Sequence, residues 1–286
     1  MLRIISFESA TDFLQAAQAD LESHETLNNL ILGICGQLVR HPERFSSAPV
    51  LRTVAENGAL VLAAIMTPPH RLIVSSGRRV ASDDSMNQFA EALFREGQRL
   101  PGVFGPVELV GKIAQEWEKV SGTQHQVAEQ LKIYELKAVT IPAPDRGRLR
   151  AAVAEDFELV SRWWYAARME MFGKADAEED RQTAKYRIED GDVFLWDNGG
   201  PVSMACQNRP TRHGISVGMV YTPPEARYRG YATACVGELS RTLLRTGWEF
   251  CSLFADILNP VSNSIYQKIG YRAIGDVTEY AFLEKK

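Results

Sequence analysis

Along the second half of the chain, apolar positions switch between a two-residue and a roughly 3.6-residue period, which predicts alternating strands and helices. Leu149 to Val153 reads as a strand. Leu159, Val160, Trp163, Trp164 and Ala167 then recur at helical spacing behind Asp156, a residue type suited to capping a helix start. Lys174 to Asp180 reads as an acidic, mobile stretch. Asp192 to Trp196 and Val202 to Gln207 read as strands joined by the hairpin turn Asp197-Asn198-Gly199-Gly200. Ile215 to Tyr221 is the next apolar run. Behind Gly230, Cys235, Leu239 and Leu243 form one helical stripe with Val236 and Leu244 beside it, and Gly247 closes that helix. Phe250 to Asp256 reads as a buried strand, Val261 to Ile269 as a short helix and Arg272 to Leu283 as a final extended segment.

The first half runs through the same order. Leu51 to Glu56 and Ala59 to Met66 flank an Asn57-Gly58 turn, an extended segment covers Arg71 to Ser75, and helices are predicted near Ser85 to Leu100 and over Val107 to Val120. Even the ends of the two short helices are alike, Trp117-Glu118-Lys119-Val120 against Tyr266-Gln267-Lys268-Ile269. The periodicity lapses at Ile141 to Arg148, where prolines, a glycine and charged residues accumulate. The chain therefore divides into a unit over 1–140, a linker over 141–148 and a second unit over 149–286. The two units read as divergent copies of one α/β arrangement.

Composition narrows the class. At 286 residues, 45% hydrophobic and 24% charged, the chain suits two globular domains and neither disorder nor a fibre. A net charge of −4 argues against a sequence-independent nucleic-acid binder, which needs a basic excess. Cys35, Cys206, Cys235 and Cys251 show no Cys-x-x-Cys spacing and lie in apolar stretches, which predicts buried free thiols in a reducing, cytoplasmic setting. The five histidines lack ligand spacing, so no metal is expected, and no apolar run is long enough to span a membrane.

The candidate chemistry sits behind the run ending at Tyr221. Thr222-Pro223-Pro224 is followed by Arg227, Arg229 and Gly230, and then by an amphipathic helix. Backbone N–H groups at a helix start lack internal partners and the helix dipole is positive there, so such a loop favours an anion. Arg227, Gly230 and Ala232 fit the pattern Arg/Gln-x-x-Gly-x-Gly/Ala. In that register the segment resembles the acyl-coenzyme A pyrophosphate loop of the GNAT superfamily of N-acetyltransferases. One departure is Tyr228, where such loops often carry glycine.

A second stretch, Asn259 to Tyr271, resembles the GNAT signature Asn-x-x-Ala/Ser-x-x-Leu/Ile-Tyr-x-x-x-Gly-Phe/Tyr, with Asn259, Ser262, Ile265, Tyr266, Gly270 and Tyr271 in register. The resemblance implies tandem GNAT-like domains of the α/β (α+β) class, each a mixed, mostly antiparallel sheet flanked by helices, with catalysis in the second. It implies acetyl-coenzyme A as cosubstrate, held by Met219, Val220, Thr222, Arg227, Tyr228, Arg229, Gly230, Tyr231, Ala232, Thr233, Asn259, Asn263 and Tyr266. Tyr266 would protonate the departing thiolate. Gly218 would mark a strand bulge that frees backbone N–H groups near Met219 and Val220 to meet the thioester oxygen.

A primary amine acceptor, with an unperturbed pKa of about 10.4, must lose a proton before it attacks. Ile215 to Thr222 holds no carboxylate, which leaves Asp256 and Glu170 as the candidate bases, beside a base acting through water. The acidic stretch from Glu170 to Asp180 would suit a cationic acceptor. In the first half, Val74 to Ser82 replaces the loop without its spacing and Trp117 replaces Tyr266, so that copy is expected to be non-catalytic. The expected protein is a monomer or homodimer that takes acetyl-coenzyme A and an amine, without nucleic acid or membrane partners. The alternatives are an acyl-coenzyme A sensor and a scaffold.

Overall fold

The computed structural model describes residues 1–77 and 79–283. The first half runs β1 (Leu2–Phe7), α1 (Ala10–Glu22), α2 (Asn29–Arg40), β2 (Val50–Glu56), β3 (Ala59–Met66), β4 (Leu72–Ser76), α3 (Asp83–Arg95), β5 (Gly102–Pro106), α4 (Val107–Ser121) and β6 (His125–Leu136). The second half repeats that order: β7 (Arg148–Ala151), α5 (Phe157–Phe172), α6 (Ala177–Glu189), β8 (Val193–Asp197), β9 (Pro201–Asn208), β10 (Gly214–Tyr221), α7 (Tyr231–Arg245), β11 (Phe250–Asp256), α8 (Pro260–Ile269) and β12 (Arg272–Phe282). Both expected hairpins form. Asn57 and Gly58 turn the first at φ 50° and 80°, the left-handed pair that a two-residue hairpin needs.

All strands join one sheet in the order β1-β2-β3-β4-β5-β12-β6-β11-β10-β9-β8-β7. Its centre is an exchange. β6, from the first half, pairs antiparallel with β11 of the second, and β12, from the second half, pairs antiparallel with β5 of the first. The exchanged strands also pair with each other from His125–Phe282 to Glu135–Arg272. Each half thus lends its last strand to the other, and the two cannot part without breaking the ladder.

Helices cover both faces of the sheet. On the front, α1 and α2 bury Phe13, Leu21, Ile31 and Cys35 against Leu51, Ile65, Ile133 and Val277, while α5 and α6 bury Val160, Trp164 and Ala184 against Leu195, Met204 and Cys206. On the back, α3 and α4 cover the first half, and α7 and α8 pack Cys235, Leu239 and Ile269 on Ile215, Val217 and Leu253 of the second. All four cysteines are free and buried, and burial pushes every thiol up. Among the described residues no helix is long and apolar enough to cross a membrane.

Two sequence expectations change. The stretch Lys174 to Asp180 is not loop throughout, because α6 begins at Ala177, capped by the Asp176 carboxylate on the N–H groups of Glu178 and Glu179. Asp180 faces inward, 3.1 Å from Arg168, and is fully buried. Asp156 does not cap α5 with its side chain. Its carboxylate accepts from the Val153 N–H and from both terminal nitrogens of Arg150, whose guanidinium holds it below the usual aspartate range against the opposing effect of burial.

A polar clasp joins the halves on the front. Glu25, in the turn between α1 and α2, accepts from the Thr211 hydroxyl, from the His213 N–H at 2.7 Å and from His213 Nδ1 at 2.7 Å. Burial alone would raise its pKa, but these donors together hold it below the ordinary glutamate value. A carboxyl group with a lowered folded-state pKa adds stability above the unfolded pKa and loses it as pH falls through the folded one. Glu25→Gln should therefore cost roughly 1–3 kcal/mol in denaturant melts at pH 7, the range for stranding buried donors. The difference should close as both proteins are taken to acid. A gap that stays constant down to pH 2 would assign the effect to packing instead.

Candidate active site

β10 runs into a Pro-Pro turn, and Pro224 to Ala226 form a single 3-10 turn before α7 starts at Tyr231. Gly230 stands at the helix N-cap with φ 80°, a left-handed conformation in which glycine is unstrained. A Cβ there would meet nothing within 4 Å, so dihedral angle rather than crowding selects the glycine. The first intrahelical bond is Ala234 N–H to the Gly230 carbonyl at 3.0 Å, which leaves the N–H groups of Tyr231, Ala232 and Thr233 for other acceptors. No side chain caps this helix and its first turn carries no acid. Its dipole therefore faces outward without a built-in counter-charge, as an anion site requires.

The two arginines of the loop differ. Arg229 is exposed. Arg227 is committed: its Nε donates to the Thr222 carbonyl at 2.9 Å, and Nη2 reaches both oxygens of Glu170 at 2.7 Å. The guanidinium thereby ties the loop to the end of α5. Thr222 is fixed through its hydroxyl to Ser203 at 2.8 Å, and the Tyr231 hydroxyl accepts from Asn198 at 3.0 Å.

β10 and β11 are parallel neighbours only from Gly214–Phe250 to Ser216–Ser252, although both strands continue. Beyond Ser216 they splay into a V. On the other side of β10 the register with β9 slips between Gly218 and Tyr221, which is a bulge. The left-handed residue in that bulge is Met219, at φ 47°, rather than Gly218. Glycine at 218 has a spatial reason, since a Cβ there would sit 3.0 Å from Asn208 Nδ2. Met219 and Val220 thus line the mouth of the V without a ladder partner on β11.

Tyr266 reaches this region from the back face. It projects from α8, packed with its ring 6.2 Å from Tyr134 of β6 and 6.0 Å from Tyr271. The residue is buried, and burial pushes the phenol up to about 12, so it stays protonated through the neutral range. Among the described residues its hydroxyl has no hydrogen-bond partner, and it is absent from the polar atoms sealed away from solvent.

Other residues singled out in the sequence prove to hold the site in shape. Asn259 caps α8 by accepting from the Ser262 N–H at 3.0 Å. Asn263 donates to the carbonyls of Asp256 and Asn259, both at 2.7 Å, and accepts from the Tyr134 hydroxyl at 2.8 Å. Asp256 accepts from the Leu258 N–H at 2.8 Å, a local turn bond, while facing the front beside Phe254. Glu170 is the counter-ion of Arg227. Tyr134 and Arg209 were missed. Arg209 donates to Ser216 at 2.7 Å and to Asn29 at 3.1 Å and lies over Phe254, and burial lowers its pKa to about 10.

The corresponding V of the first half is filled. β4 and β5 pair only at Leu72–Val103 and Ile73–Phe104, and Asn28 and Leu30 narrow the gap to a void of roughly 20 Å³, with Asn28 accepting from Ser75. Trp117 is wedged between Phe94 and Phe282 and offers no hydroxyl. In Val74 to Ser82, Arg78 lies outside the described residues. A cavity of roughly 450 Å³ lies at the far end of the sheet, between Glu25, Glu135 and Phe250, away from the loop. Among the described residues no group of three or more His, Cys, Asp or Glu could hold a metal.

Comparison with known proteins agrees with this geometry. Residues 199–281 match the family model of FR47-like proteins, a stretch from the β8–β9 turn to β12. Solved structures superpose over nearly the whole chain. An acetyltransferase of the GNAT family from Colwellia psychrerythraea gives a TM-score of 0.63 at 13% identity, covering 98% of this chain and 100% of that one. A GCN5-related N-acetyltransferase from Sphaerobacter thermophilus gives 0.60 at 16% identity, covering 98% and 94%. A tandem GNAT protein from the clavulanic acid biosynthesis pathway gives 0.59 at 14% identity, covering 100% of each chain. No curated protein matches the sequence. The fold is that of tandem GNAT proteins, and the resemblance to that superfamily drawn from the two motifs is met by the family model and the architecture together.

Tyr228 stands out within the loop, at φ 61° and almost wholly exposed. A non-glycine residue in the left-handed region costs about 1 kcal/mol. Tyr228→Gly should therefore leave thermal stability unchanged or raise it slightly, against the usual direction of substitutions to glycine. A clear loss of stability would mean that the ring makes contacts that outweigh the strain.

Proposed function

We propose that this protein is an acetyl-coenzyme A-dependent N-acetyltransferase whose second half carries out the transfer. The observation that carries the reading is the juxtaposition of an uncapped helix start, a splayed strand pair and an accessible, protonated tyrosine in one half, with all three missing or blocked in the other. Arg229 and the N–H groups at the start of α7 suit a pyrophosphate, with Arg227 shaping the loop through Glu170. The pantetheine arm would lie in the V between β10 and β11, where its thioester oxygen meets backbone N–H near Met219 and Val220. An acceptor amine attacks the thioester carbon directly, and Tyr266 protonates the thiolate. The four free thiols suit a reducing cytoplasm.

Two substitutions test the parts separately. Arg227→Ala should weaken acetyl-coenzyme A binding about tenfold or more by calorimetry, because it removes both a positive charge and the tie to Glu170. Tyr266→Phe should keep that affinity and lower turnover of an amine acceptor by about 10²–10⁴-fold, the range for losing a general acid. Unchanged turnover, with chemistry limiting the rate, would remove Tyr266 from the mechanism. Tight cofactor binding with no transfer to any of a broad amine panel would favour a sensor, and no binding at all would favour a scaffold.

A further inference from the structure

The exchanged strand β6 brings a first-half residue to the front of the catalytic V. Register sets its position. Phe254 pairs with Ile133 and Asp256 with Leu131, so Glu129 stands two residues beyond the last pair with β11, about 7 Å further along β6 and one strand spacing to the side. Leu131 and Ile133 pack on the front with α1 and α2, and alternation puts Glu129 on that same face with Phe254 and Asp256. Tyr266 comes from the back. The splayed strands therefore have a proton donor on one side and Glu129 on the other.

The neighbours of Glu129 are unequal. Across the central pair it faces Glu279 of β12, its counterpart in the repeated order, and Glu279 is paired with Arg71 at 2.7 Å. Among the described residues no hydrogen bond or ion pair engages Glu129 itself. The charges acting on it are, in order of strength, Glu279, the opposing Arg71 and Asp256; Lys174, in the turn between α5 and α6, acts on Glu279, and Arg209 sits deeper, over Phe254. Burial, then Glu279, then Asp256 raise the proton affinity of Glu129 against the pull of Arg71. A carboxylate raised in this way is a better base near neutral pH.

We propose that Glu129, lent by the first half, takes the proton from the acceptor ammonium, directly or through one water. The inference rests on the acetyltransferase reading above. The ammonium gives one proton to Glu129, which passes it to solvent. The freed nitrogen attacks the thioester carbon, and the C–N bond forms as the C–S bond breaks. The sulfur takes its proton from Tyr266, which recovers one from the second proton shed by the nitrogen. The acceptor is thus a primary amine that arrives charged and lies over Phe254 on the front face.

The test uses the full-length protein, acetyl-coenzyme A and whichever primary alkylamine in a panel the wild type acetylates best. Glu129→Gln should bind acetyl-coenzyme A within twofold of wild type by calorimetry, yet lose about 100-fold or more in kcat/KM for the amine at pH 7. That loss should shrink about tenfold per pH unit towards the pKa of the amine, since free amine then needs no base. Glu279→Gln should shift the acidic limb of the wild-type profile to lower pH, because it removes a negative charge that raises Glu129. No loss in Glu129→Gln, or a loss that is the same at every pH, would overturn the assignment while leaving the transferase reading intact. A wild type that binds acetyl-coenzyme A but acetylates no amine would overturn both.

Discussion

The antiparallel pair β6–β12 is the interaction on which the rest of the molecule depends. Each of these strands docks on the other half, so the two repeated units form one sheet rather than two domains joined by a linker. An exchanged strand carries information as well as hydrogen bonds. β6 delivers Tyr134 to the back of the second half, where its hydroxyl fixes Asn263 and its ring packs on Tyr266. On the front it delivers Glu129. If Glu129 acts as proposed, the second half has no complete site of its own.

The exchange is reciprocal, so the asymmetry between the halves comes from how each treats its own gap. Both contain a parallel strand pair that splays after two or three residue pairs. In the first half, α1 and α2 turn their connecting segment into the gap, with Leu30 packed on the core and Asn28 accepting from Ser75. A filled gap stabilises that half through packing. In the second half the equivalent gap keeps a bulge, a left-handed methionine and an unpartnered tyrosine hydroxyl, none of which is the most stable choice locally. Such departures persist where the surrounding structure holds them, and here it does so through Asn29, Arg209 and Ser216 at the base of the V.

Much of the architecture was legible in the sequence. Two Gly-containing hairpin turns, the stripe from Cys235 to Leu243 and the glycines at 230 and 270 encode local geometry, and local geometry is what short-range patterns report. The segment His125 to Leu136 was not legible as a strand, although Leu131 and Ile133 alternate with Lys132 and Tyr134. Its first residues are polar and exposed because they pair within the ladder without a covered face, so the apolar signal is confined to the last third. The helices α1 and α2 were missed although Phe13, Ala17 and Leu21 behind Ser9, and Ile31, Cys35 and Leu38, recur at helical spacing. The loop residues proposed for the cofactor rest on spacing, a short-range signal. Tyr134 and Glu129 were invisible because their placement comes from strand exchange, and Arg209 because its partners Asn29 and Phe254 lie far along the chain.

The choice of base turns on what each carboxylate is already doing. Glu170 is already engaged, with both oxygens on Arg227 Nη2 at 2.7 Å, and its loss would also loosen the loop that it anchors. Asp256 spends one oxygen on the turn into α8. Glu129 has no such commitment, and its half-buried setting, with Glu279 opposite, raises its proton affinity against the pull of Arg71. A residue tuned towards protonation and left without a partner is costly to fold, and function is a reason for a protein to keep one. If Glu129 acts as proposed, the first half takes part in the chemistry, because its strand β6 completes its neighbour's site.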